Sequence, residues 1–235
     1  LQLLRRLLAD PTQDALPEEL ETALAELEGR GFVETSWDMQ EYQFRHALIQ
    51  DAVGQTMTPA QHQAWHRRIA ELLEEQGGEV EKLAHHLYNS LLASRPAEPP
   101  KPDPESSAVQ VQKAVDALLE CGRRALLRYA AHEATTYYRR VLLLTPLLGG
   151  SDDANVAGRE GIGDALTLLG SFDEAYEELR HAYAALHTRP LDPATRRLSL
   201  DARDRAFYRD PNRAYAAMPA TSPTFSASCS SRAWC

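Results

Sequence analysis

The chain has 235 residues, 43% of them apolar and 25% charged, with 25 Lys plus Arg against 34 Asp plus Glu and a net charge of −9. That is enough chain to bury a core without disulfide or metal staples, and the acidic balance argues against a general nucleic-acid binder. No apolar run approaches the roughly 20 residues that a membrane-spanning helix needs.

The three cysteines, Cys121, Cys229 and Cys235, form neither a disulfide framework nor a zinc pattern, which points to a reducing, cytoplasmic setting. No signal peptide opens the chain, and its start at Leu1 reads as a piece of something longer. Residues 1–93 hold 7 basic and 16 acidic side chains, residues 94–187 hold 10 and 14, and residues 188–235 hold 8 and 4. The sign of the balance changes near residue 188, and so does the character of the chain.

Leu1, Leu3, Leu4, Leu7 and Leu8 form a helical apolar stripe that Asp10-Pro11 stops. Pro17 opens a second helix, with Glu18 and Glu19 in its first turn and Gly29 and Gly31 at its end. Phe32 to Trp37 and Glu41 to Arg45 alternate aromatic or β-branched residues with polar ones and read as a β-hairpin. Two helices followed by a two-stranded wing is the order found at the end of a winged-helix domain.

From Ala47 the helical period returns, giving helices over about 46–57, 59–76 and 79–93. Five prolines then fall between Ser94 and Pro104, a stretch expected to be an extended, solvated linker. Beyond it the chain reads as two units of the tetratricopeptide (TPR) kind, whose repeat is about 34 residues. Counting from Val115 puts Gly122 at position 8, Ala134 at 20, Tyr138 at 24 and Pro146 at 32. Counting from Val156 puts Gly163 at 8, Leu166 at 11, Ala175 at 20 and Ala182 at 27. Small residues at such positions let two antiparallel helices cross closely. The unit starts are 41 residues apart, and Leu147 to Asp153 supplies the extra loop. Residues 192–208 carry a weak helical stripe, and the Ser-, Ala-, Thr- and Pro-rich tail is expected to be disordered.

The residues of 41–66, from Glu41-Tyr42-Gln43-Phe44-Arg45-His46-Ala47-Leu48 through Asp51 and Met57 to His66, resemble a segment of the large bacterial signalling ATPases of the STAND (AAA-related) type. These proteins are often fused to adenylate/guanylate cyclase, kinase or LuxR-type domains. Gly54, His62 and Trp65 depart from that pattern, which has Tyr, Arg and Leu there. Glu81-Lys82-Leu83-Ala84-His85-His86 resembles the helix that follows. Gly122-Arg123-Arg124-Ala125 and Ala134 to Arg140 extend the likeness, which covers about 1–187. The resemblance implies a region that follows a nucleotide-binding domain and joins it to a helical-repeat arm, the arm regulating the ATPase or its fused output. It also implies that His46 is a structural hinge.

Catalytic motifs are few. The phosphate-cradling Gly-x-x-x-x-Gly-Lys-Ser/Thr loop is absent, and Gly158, Gly161 and Gly163 read as helix-packing glycines. His62 and His66 have zincin spacing, but Gln63 replaces the general base and no third ligand is evident. His85 and His86, as neighbours on a helix, diverge. Cys121 with His132 is no recognisable nucleophile pair, and no Gly-x-Ser-x-Gly elbow occurs. The candidate recognition helix 17–29 carries Glu18, Glu19, Glu21, Glu26 and Glu28, which would repel phosphate.

The expected architecture is all-α: a helical-repeat (TPR-like) array preceded by a winged-helix remnant with one β-hairpin. The expected divisions are 1–57 for the winged-helix remnant, 58–93 for a helical connector, 94–107 for the linker, 108–190 for the repeats and 191–235 for the tail. The expected function is a non-catalytic protein-interaction and regulatory module, with no cofactor and no metal. A protein or peptide partner, or the parent's own ATPase domain, would bind near Tyr129, Tyr137, Arg140 and Tyr183. The alternative is the effector-sensing part of a transcription regulator whose DNA-binding domain lies elsewhere.

Overall fold

A computed structural model describes Leu7 and residues 18–36, 42–94, 99–149 and 152–187. Helices hold 75% of the described residues, in eight α-helices with one antiparallel hairpin. In chain order these are α1 (Glu18–Gly29), β1 (Val33–Thr35), β2 (Tyr42–Phe44), α2 (Ala47–Thr56), α3 (Pro59–Gln76), α4 (Val80–Asn89), α5 (Ala108–Leu127), α6 (Ala131–Leu144), a 3-10 turn (Thr145–Leu148), α7 (Asp152–Leu168) and α8 (Phe172–His187). The remainder of the expected first helix, the weak helix over 192–208 and the C-terminal tail lie outside the described residues.

The punctuation residues act where the sequence places them. Gly31 takes a left-handed φ of 75°, and Phe32 N–H donates to the Leu27 carbonyl at 2.9 Å, turning the chain from α1 into β1. Val33 pairs with Phe44 and Thr35 with Tyr42, each strand being three residues long. Thr58 caps α3 with a reciprocal capping box to Gln61, Pro59 follows in the first turn, and Gly77 closes the helix at φ 62°. His46 is the extended N-cap residue of α2 and makes no side-chain cap bond.

Helix α4 ends at Asn89, four residues before the expected 93. The backbone of the next residues has other partners. Ala93 N–H donates to the Lys101 carbonyl at 2.8 Å, and Asp103 N–H donates to the Leu91 carbonyl at 2.7 Å. Lys101 N–H also donates to Ser94 Oγ at 3.1 Å. The described part of the proline segment is therefore extended but bonded: residues 101–103 run antiparallel to 91–93, with Leu92 bridged to Pro102. Leu91, Leu92 and Ser94 are buried beneath it.

Each helix from α3 to α8 packs on its sequence neighbour, and α5 also touches α7. One core cluster joins Ala84, Leu87 and Leu91 to Val111, Val115 and Leu118, and reaches Val141 and Leu144 on α6. It thus continues from one side of the proline segment to the other. A second cluster joins Ala125, Ala134 and Tyr138 to Ile162, Leu166 and Ala175. Lys113 to Glu74 at 2.8 Å and Arg124 to Glu81 at 3.8 Å add exposed ion pairs from α5 to α3 and α4, each worth under about 1 kcal/mol.

The α5–α6 and α7–α8 pairs share one close glycine contact and their turn at a spacing of 41 residues. A Cβ at Gly122 would meet the Tyr138 ring at 2.6 Å, and one at Gly163 would meet Leu179 at 2.7 Å. Ala130 N–H donates to the Ala125 carbonyl at 2.9 Å, and Ser171 N–H donates to the Leu166 carbonyl, also at 2.9 Å. The preceding residues, Tyr129 (φ 58°) and Gly170 (φ 77°), are both left-handed.

Candidate functional site

Helices α3, α4 and α6 converge beside the bonded proline segment and leave a groove of about 520 Å3 between them. Its floor and walls are Leu92, Pro100, Leu143 and the ring of Tyr88; Asn89, Thr136, Arg139 and Arg140 supply polar groups at its rim. Tyr88 is 5% exposed, and burial raises its phenol pKa. The Arg140 guanidinium carbon stands 5.0 Å from the Tyr88 ring centre, a cation–π placement that holds the charge at the groove.

Most of the neutral polar groups there are already engaged. Thr136 Oγ1 donates to the His132 carbonyl at 3.0 Å, and Asn89 Nδ2 donates to the His85 carbonyl at 2.8 Å. Arg139 and Arg140 form no ion pair among the described residues, whereas Arg123, Arg124, Arg159 and Arg180 all do. Unspent hydrogen-bonding capacity therefore resides mainly in two guanidinium groups, and among the described residues no carboxylate lines the groove.

His62 also lines this groove and begins a chain of imidazoles behind it. His62 and His66 share one face of α3 at i,i+4, opposite His85 and His86 on α4. His66 Nε2 lies 3.2 Å from His62 Nε2, and His66 Nδ1 lies 2.8 Å from His86 Nδ1. The His85 ring meets that of His66 edge-on at 5.6 Å. The two close contacts use opposite nitrogens of His66, so the rings form a chain and not a cage around one point. Among the described residues no group of three or more ligating side chains could hold a metal ion.

Two neutral tautomer patterns satisfy the chain, and each leaves His62 Nδ1, which is buried without a partner, as a bare lone pair or an unused N–H. Burial first, then the neighbouring rings, pushes His66 down to about 3 and His86 to about 4. His62 and His85 are lowered too, chiefly by burial, His85 also by Arg140. All four shifts favour the neutral form of the imidazoles.

The four residues expected to bind a partner do not meet. Arg140 stands at the groove. Tyr137, next to it, is half-buried against the core, and its hydroxyl donates to Glu133 Oε1 at the surface, 3.3 Å away. Tyr183 packs beside Val156 and Ala182 near the end of α8. Tyr129 is 81% exposed in the α5–α6 turn, beside Leu168 and Leu169 of the next turn. A non-glycine residue held left-handed costs on the order of 1 kcal/mol. Tyr129→Gly is accordingly expected to raise the unfolding midpoint, by up to about 1 kcal/mol in stability, since the exposed ring forfeits little packing. A chemical denaturation curve checks this, and a loss of stability would show that the ring is anchored.

Sequence reading singled out Arg140 but missed the groove, because Arg139 looks like an ordinary helix-surface charge and Tyr88, Leu92 and Pro100 come from another part of the chain. It missed the imidazole chain because the two His pairs belong to different helices. The usable signal was that both pairs flank one Gly77-Gly78 turn, which folds their helices together. Cys121 is fully buried, and burial pushes its thiol up to about 11, so it is inert packing; Cys229 and Cys235 lie outside the described residues. Comparison of the chain with protein-family models, with curated proteins and with solved structures returned no match.

Proposed function

We propose that the chain is a non-catalytic protein-interaction and regulatory module of a signalling ATPase, with TPR-like helix pairs that hold a partner. The observation that supports this reading best is the recurrence of one contact and one turn at a spacing of 41 residues. A glycine at position 8 receives the side chain at position 24 in both units, Gly122 with Tyr138 and Gly163 with Leu179. Repeated helix pairs of this kind bury a continuous core and leave extended surfaces, and such surfaces serve binding. The α1–hairpin–α2 order before them is consistent with the wing of a winged-helix domain, and the resemblance of residues 41–66 supplies the link to STAND-type ATPases.

The test is genetic and then biochemical. Flanking DNA is translated in all frames, and the longer product is assayed for ATP hydrolysis with and without residues 108–187. A phosphate-loop domain upstream of Leu1, with hydrolysis or its stimulation changed severalfold by the deletion, is the expected result. Substrate turnover by this chain alone, or an upstream sequence with no nucleotide-binding domain, would remove the reading.

A further inference from the structure

We propose that the groove between α4 and α6 binds an acidic peptide segment through Arg139 and Arg140. This rests on the interaction-module reading only in taking the ligand to be a polypeptide; the charge argument stands by itself. The chain carries 34 carboxylates against 25 Lys and Arg, and most of the described arginines hold a carboxylate partner. Among the described arginines only Arg67, Arg139 and Arg140 lack an ion pair, and two of those three face one groove.

The second helix pair shows what neutralisation looks like. Arg180 occupies the position 41 residues after Arg139, and its Nε donates to Glu177 Oε2 at 2.9 Å, three residues earlier on α8. The residue three before Arg139 is Thr136, whose hydroxyl is spent on its own helix backbone. The first pair thus has the guanidinium without that same-helix carboxylate, and on its other side Arg139 borders a cleft lined by Asp173, Glu174, Glu177 and Glu178 of α8. Arg140 stacks over the Tyr88 ring, which favours a position at the groove.

Planar guanidinium forks match carboxylates bidentately, and the apolar floor of Leu92, Pro100 and Leu143 suits the alternate side chains of an extended segment. The groove is open to solvent, whereas a small ligand typically needs most of its surface covered. Both features favour a peptide over a compact anion.

The probe is a fluorescein-labelled short peptide alternating Glu with Leu, compared by anisotropy with its Gln–Leu counterpart and with inorganic tripolyphosphate as competitor. The acidic peptide is expected to bind, more weakly as salt rises, and about tenfold more weakly to Arg139→Gln. Thr136→Glu, which recreates the Glu177–Arg180 pair in the first unit, is expected to weaken it similarly while leaving both arginines in place. Arg67→Gln is expected to bind as the parent does. Each variant is checked by thermal unfolding, and the exposed Arg139 and Thr136 carry the result if Arg140→Gln loosens Tyr88. Equal affinity for the Gln–Leu peptide, or indifference to both Arg139→Gln and Thr136→Glu, overturns the groove assignment while the regulatory reading stands. Binding of tripolyphosphate in the groove without any of the acidic peptide overturns it in favour of a phosphorylated small molecule.

Discussion

Gly122→Ala is expected to destabilise the protein by about 1–3 kcal/mol, the usual cost of overpacking a filled core. A Cβ there would stand 2.6 to 2.9 Å from three carbons of the Tyr138 ring. That ring is 6% exposed and cannot retreat, because a Cβ at Gly161, on the other side, would meet the same three carbons. Alanine gains up to about 1 kcal/mol over glycine in a helix, which offsets only part of the clash. Gly29→Ala is the control: nothing lies within 4 Å of its added methyl, so no such loss is expected there. Urea denaturation measures both. Gly122→Ala combined with Tyr138→Leu should recover part of the loss, since the two sites share one contact and their effects are not additive. Gly122→Ala as stable as the parent would mean that α5 and α6 do not cross at this point.

Acidification from about pH 7 to pH 5 is expected to lower the unfolding midpoint by an amount that His66→Leu reduces. His66 and His86 are held to about 3 and 4 in the native state, while in the unfolded chain they titrate near 6.5. Between those values the unfolded chain binds protons that the native one refuses. Stability is therefore full above about 6.5 and falls as pH drops through the window, each unmatched proton contributing up to about 1.4 kcal/mol per pH unit. The groups facing His66 are His62 on its own helix, His85 and His86 on α4, and all are potential cations; Arg140 adds its charge at His85 from α6. Carboxylates elsewhere also lose stability in acid, so the parent-minus-variant difference is the quantity to follow. Parallel midpoint-versus-pH curves for parent and His66→Leu would exonerate the imidazole chain.

Local signals were legible in the sequence and relations across helices were not. The bounds expected for 59–76 hold because Pro59 and Gly77 decide them locally; the Thr58 capping box is seen only in the structure. The small residues at positions 8 and 20 could be counted for the same reason. The fate of the proline segment could not be. Composition forbids a helix between Ser94 and Pro104, but it says nothing about Leu91 and Leu92 being buried or about Asp103 bonding back to Leu91. The groove is legible only once α4 and α6 are side by side, since Tyr88 and Leu92 on one side and Arg139 and Arg140 on the other are about fifty residues apart in sequence.

The packing of α4 on α5 sets a rule for handling pieces of this chain. Ala84, Leu87 and Leu91 cover Val111, Val115 and Leu118, so the helices before the proline segment roof the first helix pair. A truncation beginning at Ala108 would strip that roof and present a greasy stripe along its leading helix. Such a fragment should self-associate through the bared stripe, and any dimer seen with it would be a product of the cut. Fragments meant to report native behaviour should start no later than Pro59.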